Sequence, residues 1–320
     1  MKKSIILGIS IFLICGISVF AGGGSARTER LRFATGGTSG TYYPFGTAIA
    51  QVIQERTGIS IIVESTGASR ANIQLIDAGE VELAMVQNDV ADYAWTGADF
   101  FDGTRFRTFN AIAGLYSEQI QLIAAAGSGI RSVADLRGRS VSVGAAGSGV
   151  EFNARHVLSV YGMTFDNINM QNLDFGSSAD ALRDGRIDAF FVTAGAPTPA
   201  IVDLATNNNI IVVPIEGPNA SRLMQEFPFY TEYVIPAGTY RGQTTPVRTV
   251  TIKAILIART SVSEETIYQF TKNLFENQAQ ISRTHARGAD INLVDAVQGM
   301  GSVPFHPGAS RYFREIGALR

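Results

Sequence analysis

The sequence predicts an α/β protein made of two similar lobes. Its 320 residues and 46% hydrophobic content are enough to form two hydrophobic cores. A strand, a loop of glycines and hydroxyl residues, and a helix follow one another at residues 31–55, and the same order returns at residues 141–161. A helix end, a turn and a buried strand also recur at residues 75–84 and 182–190. We therefore expect two α/β lobes whose loops face each other across a cleft.

The charge balance argues against nucleic acid as a partner. The net charge is −2 at pH 7, and only 17% of the residues are charged. No cluster of lysine and arginine alternates with aromatic residues, as a nucleic-acid-binding surface usually requires. We expect no nucleic-acid partner for this chain.

The first 21 residues are predicted to direct export rather than to fold. Lys2 and Lys3 precede an apolar run at residues 5–20, and Ala21 offers a small residue at the cleavage position. Cleavage there leaves a periplasmic chain without cysteine, and hence without a disulfide. The alternative is a lipid anchor at Cys15, the only cysteine of the sequence.

The first loop, residues 35–44, is predicted to bind an anion. It follows a strand and opens an amphipathic helix, so it presents unpaired N–H groups at the positive end of a helix dipole. Tyr43 lies off the apolar stripe of that helix, which favours it over Tyr42 as a ligand contact. The contacts expected from this loop are Gly37, Thr38, Thr41 and Tyr43.

The second strand–loop–helix unit supplies further polar groups. A strand at residues 59–64 leads to a loop in which Ser69 is the expected N-cap of a short helix. A buried strand at residues 81–86 follows, and ligands bind at the carboxyl ends of strands in open α/β sheets. The contacts expected from this unit are Ser65, Thr66, Ser69, Gln87 and Asp89.

The second lobe is predicted to contribute a matching loop. A strand at residues 141–143 is followed by the glycine-rich loop 144–149 and by a helix at residues 150–161. Another buried strand, residues 189–192, ends in small and polar residues. The contacts expected from this lobe are Ser148, Gly149, Val150, Thr193 and Pro197.

Two crossings are expected to join the lobes. Glycines after a predicted strand pair at residues 110–126 mark the first crossing, and the second falls between residues 236 and 247. These positions place residues 28–126 and 247–320 in lobe one and residues 127–246 in lobe two.

Catalysis, metal binding and phosphate binding find little support in the sequence. No Walker A motif follows either glycine loop, and no Gly-x-Ser-x-Gly or Ser-x-x-Lys motif occurs. His156, His285 and His306 lack the spacing of metal ligands. Asp89 and Glu151 are the candidate catalytic carboxylates, so an exported hydrolase or transferase is an alternative function. We otherwise expect no enzyme activity, no cofactor and no metal.

Several motifs together resemble the TAXI family of solute receptors from TRAP transporters. They follow the family's order over nearly the whole mature chain, so the resemblance is more specific than any single loop. The motifs are residues 36–44 (GGTSGTYYP), 64–69 (ESTGAS) with Asn72, 82–87 (ELAMVQ) with Asp89, 147–149 (GSG) with 153–155 (NAR), 188–197 (DAFFVTAGAP), 235–240 (IPAGTY) and 306–308 (HPG).

The resemblance implies a type II periplasmic-binding-protein fold, with a ligand cleft between two lobes. It also implies capture of a small organic acid or an amino acid such as glutamate, and delivery to the membrane permease subunits. The ligand carboxylate would contact the glycine and hydroxyl loops, and any ammonium would face Asp89 and Gln87, with Tyr43 and Pro197 as walls. Arg70 stands where the family has an uncharged residue and would add a partner for the carboxylate.

Two expectations complete this picture. We expect the receptor to act as a monomer. A ligand-sensing partner of a histidine kinase is the alternative to a transport receptor, because both use the same kind of binding lobe.

Overall fold

The computed structural model describes residues 30–319. The predicted export segment, residues 1–21, and the candidate lipid anchor Cys15 lie outside this range. Among the residues described, no helix is long and apolar enough to cross a membrane.

The described residues form one ten-stranded mixed sheet with helices packed on it. Its strands are β1 (Arg30–Ala34), β2 (Ser60–Glu64), β3 (Leu83–Gln87), β4 (Phe109–Ala125), β5 (Ser140–Ser142), β6 (Asn169–Gln171), β7 (Ala189–Ala194), β8 (Ile210–Val213), β9 (Thr231–Ile235) and β10 (Val247–Arg259). The strand order is β2-β1-β3-β10-β4-β7-β5-β6, with β8 beside β4 and β9 beside β10.

The helices alternate with these strands in the chain. They are α1 (Tyr42–Thr57), α2 (Ser69–Ala78), α3 (Asn88–Thr96), α4 (Gly149–Val160), α5 (Phe175–Arg183), α6 (Pro199–Asn207), α7 (Gly217–Glu226), α8 (Glu264–Glu276), α9 (Gln278–Thr284), α10 (Leu293–Ala296) and α11 (Pro307–Glu315). Short 3-10 helices lie at Asp99–Phe101, Val133–Leu136, Phe165–Asn167 and Ala286–Asp290.

Lobe one is built on the parallel pairing of β1 with β2 and β3. Helix α1 buries Phe45, Ile49 and Ile53 in the core of this lobe, because these residues recur every three or four positions and so share one helix face. The helix ends at Gly58, whose φ of 73° is the left-handed conformation that glycine adopts without strain. The apolar stripe predicted for this helix is confirmed.

Lobe two is built around β7, which is buried along its whole length. This strand pairs in parallel with β5 and antiparallel with β4, and β5 pairs in parallel with β6. The carboxyl ends of β5 and β7 carry the loops that face lobe one.

Strands β4 and β10 run through both lobes and pair antiparallel from Phe109↔Arg259 to Gln119↔Thr251. The sequence predicted two strands where β4 is one, because polar residues 117–119 interrupt the apolar run. These residues continue the strand because their backbone pairs with β10.

The hydrophobic cores show where these strands change lobe. The core of lobe one includes Tyr116 and Ala254, whereas the core of lobe two includes Ile120 and Ile252. We therefore propose lobe boundaries inside β4 and β10, rather than at the glycines and prolines that the sequence indicated.

Three local predictions are corrected. Ala68, with φ of 67°, holds the position before α2, and Ser69 is the first residue of that helix rather than its N-cap. The single helix expected at residues 264–281 is divided at Asn277, whose side chain donates to the carbonyl of Asn273 at 3.0 Å and competes with the helix backbone. The passage at residues 214–242, rich in proline and glycine and predicted to contain no helix or strand, contains α7 and β9; Pro218 lies in the first turn of α7, where proline is tolerated.

Helix α4 of lobe two inserts one side chain into lobe one. Its Ala154 and Val157 pack in the core of lobe two. Phe152, which is fully buried, packs instead with the lobe-one cluster, its ring centre 4.4 Å from that of Phe100 and 5.9 Å from that of Phe101. The lobes therefore touch beside the cleft.

Truncation of Phe152 tests this contact. Phe152→Ala is expected to lower the free energy of unfolding by about 3–5 kcal/mol, because a fully buried aromatic side chain is lost and a cavity remains. Urea denaturation followed by circular dichroism measures the change. The control, Val202→Ala at a position 41% exposed, should change stability by less than about 0.5 kcal/mol. A loss below about 1 kcal/mol for Phe152→Ala would contradict this packing.

Candidate functional site

A cavity lies between the two lobes. About 590 Å³ of it is free of protein atoms, and part of this space is open to solvent. It is lined by Gly36, Gly37, Ser39, Gly40, Thr41, Tyr42, Thr66, Gly67, Ala68, Ser69, Gln87 and Glu118 on one side, and by Ala145, Ser148, Gly149, Val150, Asp174, Phe175, Thr193 and Ala194 on the other.

Three helices direct their N-termini at this cavity. Helix α1 begins at Tyr42, α2 at Ser69 and α4 at Gly149, and each of these residues lines the cavity. The first turn of a helix carries N–H groups without intrahelical partners and a partial positive charge. Since α1 and α2 belong to lobe one and α4 to lobe two, an anion in the cavity would be held from both sides.

The lobes approach closely where Gln87 meets Gly149. A Cβ atom on residue 149 would lie 2.0 Å from the Oε1 atom of Gln87, so any larger residue there would displace the Gln87 side chain. Gln87 is 3% exposed, and its backbone N–H donates to the Ser69 hydroxyl at 3.0 Å. Its side-chain Oε1 has no hydrogen-bond partner among residues 30–319. A buried acceptor left unpaired costs free energy, which a ligand donor in the cavity would recover.

Glu118 is a buried carboxyl group of the cavity wall. It is 1% exposed and lies on β4 where that strand passes between the lobes. The Tyr42 hydroxyl donates a hydrogen bond of 2.7 Å to its Oε2 atom. Burial raises the pKa of Glu118 to about 8, because the ionised form loses its hydration. The carboxyl group is therefore mostly protonated near neutral pH in the absence of a ligand.

The side chains of the cavity wall carry no positive charge. Within residues 30–319 the lining includes Glu118 and Asp174 but no lysine, arginine or histidine. Asp174 caps α5, accepting from the Ser177 N–H at 2.8 Å. The expected carboxylate partner Arg70 does not line the cavity, and its guanidinium lies 5.5 Å from the ring centre of Phe101. An anion would thus depend on helix N-termini and hydroxyl groups.

Most of the contacts predicted from the sequence line the cavity. Thr38, Tyr43, Ser65, Asp89 and Pro197 do not. The predicted contact Tyr43 is corrected to Tyr42, because Tyr42 is the first residue of α1 and lines the cavity. Ser65 supports the first loop from behind, donating to the Gly36 carbonyl at 3.0 Å. Those that do line it are Gly37, Thr41, Thr66, Ser69, Gln87, Ser148, Gly149, Val150 and Thr193.

Asp89 lies behind the cavity wall, fully buried in the first turn of α3. Its Oδ2 accepts from Asn153 Nδ2 at 3.0 Å, and its Oδ1 accepts from the Val90 N–H at 2.8 Å. Asn153 in turn accepts from the Thr193 hydroxyl at 2.8 Å, which connects this network to the cavity. Burial raises the pKa of Asp89 to about 6. The ammonium contact predicted for Asp89 is corrected, because its carboxyl group faces α4 rather than the cavity.

Charged groups extend the contact between α4 and lobe one. Asp99 of lobe one pairs with the Arg155 guanidinium, and its Oδ2 lies 2.5 Å from His156 Nε2. The Nδ1 atom of His156 lies 3.0 Å from the Tyr230 hydroxyl, which accepts from Asn153 at 2.8 Å. Helix α4 is therefore attached to lobe one by ionic, polar and aromatic contacts.

The alternative catalytic carboxylates do not meet in the cavity. Glu151 accepts from the Gly147 N–H at 2.8 Å and from Asn172 Nδ2 at 3.3 Å, and neither Glu151 nor Asp89 lines the cavity. Within the described part of the chain, no group of three histidine, cysteine, aspartate or glutamate side chains is placed to hold a metal ion.

Comparison with known families assigns the chain. Residues 33–317 match the model of the NMT1-like family. The chain belongs to this family. The match spans both lobes and every helix and strand that lines the cavity.

Solved structures of low sequence identity share the fold of this NMT1-like protein. An ancestral arginine-binding protein bound to arginine is 14% identical, with 81% of this chain and 97% of that chain covered and a TM-score of 0.52. A putative L-cystine ABC transporter protein from Listeria monocytogenes is 14% identical, with 82% and 98% covered and a TM-score of 0.51. A protein from Bordetella bronchiseptica is 16% identical, with 91% and 89% covered and a TM-score of 0.51. These likenesses confirm the type II periplasmic-binding-protein fold.

Glu118, Tyr42, Asp174 and Phe175 of this NMT1-like chain line the cavity but were not predicted to do so. Glu118 did offer a signal, since a carboxyl group inside a long apolar strand is costly unless it has a partner or a function. Tyr42 lies in the predicted loop at residues 35–44, but its place on the apolar face of α1 favoured its neighbour Tyr43.

The pH dependence of stability tests the burial of Glu118. A carboxyl group whose pKa rises from 4.5 to about 8 on folding stabilises the protein below pH 4.5, and this contribution disappears as the pH rises toward 8. It amounts to about 3 kcal/mol between pH 4.5 and 7. As the pH rises from 4.5 to 7, the free energy of unfolding should therefore fall less for Glu118→Gln than for the unmodified protein. Urea denaturation without ligand measures both. Parallel pH profiles would contradict the buried state of Glu118, since the titration of Asp89 is common to both proteins.

Proposed function

We propose that this NMT1-like protein is the extracytoplasmic solute receptor of a TRAP-type secondary transporter. It is exported to the periplasm, binds a small carboxylate or a glutamate-like amino acid as a monomer, and delivers it to the membrane permease subunits. It has no enzymatic role and needs no cofactor. The observation that carries this proposal is the convergence of three helix N-termini, from both lobes, on one cavity.

Neutral groups can supply the required affinity. A dissociation constant of about 1 μM corresponds to about 8 kcal/mol. Hydrogen bonds to a charged group contribute about 1.5–3 kcal/mol each, and backbone N–H groups at the starts of α1, α2 and α4 offer several of them. Burial of the ligand between the lobes strengthens these bonds, because the local dielectric constant falls.

Contacts from both lobes couple ligand binding to closure. Gly37 and Ser69 lie on lobe one, and Ser148 and Gly149 on lobe two. A ligand that contacts residues of both lobes stabilises the closed arrangement relative to an open one. The stabilisation equals the difference between its binding free energies for the closed and the open arrangement. Bending of β4 and β10 between the lobes is the hinge motion that this requires. The permease would then distinguish the loaded receptor by its closed shape.

The partner assignment rests on the motif series that resembles TAXI receptors. Residues 36–44, 64–69 and 147–149 belong to that series, and members of each segment line the cavity. The resemblance is therefore concentrated at the site itself. The fold also occurs in receptors of other transporters, so the motifs rather than the fold support a TRAP permease as partner.

A ligand screen tests the receptor function. Glutamate, glutamine, succinate and 2-oxoglutarate are added separately, and the thermal unfolding midpoint and native mass spectra are recorded. The bound acid should stabilise the protein by about 2.7 kcal/mol at a hundred times its dissociation constant, and it should be recovered unchanged. ATP is the control and should have no effect, because no side-chain cation faces the cavity from residues 30–319. Consumption of an acid would instead support the hydrolase or transferase alternative.

Gly149→Ala tests closure of the cleft. The added methyl group meets the Gln87 side chain at 2.0 Å, so Gln87 must move into the ligand's space or the lobes must part. Such overpacking costs about 1–3 kcal/mol, and the dissociation constant should rise about tenfold to a hundredfold. Gly127→Ala is the matched control, because a Cβ atom there meets nothing within 4 Å. Equal affinities of the two variants, measured by calorimetry, would count against a closed ligand-binding cleft.

A further inference from the structure

We infer that Glu118 and Gln87 form a cation-binding subsite in the cavity wall, and that the ligand is therefore an amino acid rather than a plain organic acid. Its ammonium group would contact these two side chains, while its carboxylate contacts the helix N-termini. The inference rests on the proposed receptor function and adds the chemical class of the solute.

The strand register brings the two side chains to the same part of the cavity. Gln87, at the end of β3, pairs with Ala254 of β10. Ala254 pairs in turn with Tyr116 of β4, and Glu118 lies two residues after Tyr116 on the same strand. Only one strand separates β3 from β4, so their backbones are about 10 Å apart. Both Gln87 and Glu118 line the cavity, and side chains of this length can converge on one small group between them.

Both side chains present acceptors that need a donor. The Oε1 atom of Gln87 has no partner among residues 30–319, and Gln87 is 3% exposed. The Glu118 carboxyl group receives one hydrogen bond, from Tyr42. An ammonium group donates three hydrogen bonds and accepts none, which matches this set. The second carboxylate of a diacid has no proton to donate to the Oε1 atom of Gln87.

The cavity wall presents groups of both polarities. Helices α1, α2 and α4 present positive N-termini, whereas the charged side chains in the lining of the described chain are the acids Glu118 and Asp174. An α-amino acid carries one charge of each sign on adjacent groups. It therefore complements both kinds of group, and a plain acid complements one.

Binding of an ammonium group should release a proton. The groups around Glu118 are Tyr42 on α1, Tyr116 on β4 and, more distantly, Asp89 on α3, and Asp174 lines the cavity from α5. Burial of Glu118 and the negative charge of Asp89 raise the pKa of Glu118. An ammonium group in contact with it has the opposite effect and favours the ionised form. Affinity for an amino acid should then rise with pH up to about pH 8 and level off above it.

The experiment uses matched ligand pairs that differ only in the amino group. Isothermal titration calorimetry compares L-glutamate with glutarate, L-alanine with propionate and L-leucine with 4-methylpentanoate. The best amino acid should bind about 30-fold or more tightly than its partner, as expected for a buried charged contact. In Glu118→Gln this preference should fall to about threefold or less, chiefly through weaker binding of the amino acid.

Asp77→Asn is the control variant. It removes a carboxyl group of lobe one that accepts from the Thr108 hydroxyl at 2.7 Å and does not line the cavity. The variant should change the affinity for both members of a pair by the same factor and leave the preference intact. Circular dichroism confirms that each variant is folded before titration.

Proton release keeps the inference testable if Glu118→Gln does not fold. Calorimetry of the unmodified protein at pH 7, in two buffers of different ionisation enthalpy, should show a net release of protons on binding of the amino acid. The matched des-amino acid should release none.

Three outcomes decide between the proposals. A preference for amino acids that depends on Glu118, or the expected proton release, supports the inference. The inference is overturned if an amino acid and its matched acid bind equally well, or if the preference for the amino acid persists in Glu118→Gln. Either result leaves the receptor function standing. If neither member of any pair binds, both the receptor function and the inference are overturned.

Discussion

The two-lobed arrangement depends on the antiparallel pairing of β4 with β10. Both strands cross from one lobe to the other, and their ladder continues from Phe109↔Arg259 to Gln119↔Thr251. The register shifts beside Ala254 and Leu256, and such irregularities bend a strand and increase its twist. The ladder runs from one lobe to the other beside the cavity. Residues of β4 and β10 between the two lobes are therefore held by both of them. Glu118 leaves β4 at this point and lines the cavity, whereas its neighbours Ser117 and Gln119 point to the other face of the strand and do not.

That placement explains how a buried carboxyl group is tolerated. An ionised Glu118 would lose its hydration inside the protein, at a cost that only hydrogen bonds or an opposite charge can offset. Tyr42 supplies one hydrogen bond, and protonation removes the charge. A purely structural position in an apolar strand gains nothing from such a residue. Groups held in an unfavourable state of this kind concentrate at functional sites, because a ligand can relieve them.

The sequence predicted those features that local patterns encode. Glycine and hydroxyl loops before helices pointed to Gly37, Ser69 and Gly149, which line the cavity, and the apolar periodicity predicted α1. Asp89 does not line the cavity, although it follows the end of a strand. Helix α3 begins at Asn88, immediately after β3, and its first turn directs Asp89 toward α4. The acid that does line the cavity comes from a distant strand, so its position depends on long-range pairing that no local pattern carries.

Helix α4 connects ligand contact to lobe contact within one rigid element. Its first residue, Gly149, lines the cavity, while Phe152, Asn153 and His156 on the following turns contact lobe one. Movement of lobe two therefore makes or breaks both sets of contacts together. The apolar part of this contact favours closure even without ligand, whereas the buried carboxyl group of Asp89 opposes it, because an open cleft would hydrate that group. These effects oppose each other, so a ligand that binds the two arrangements with different affinity shifts the balance between them.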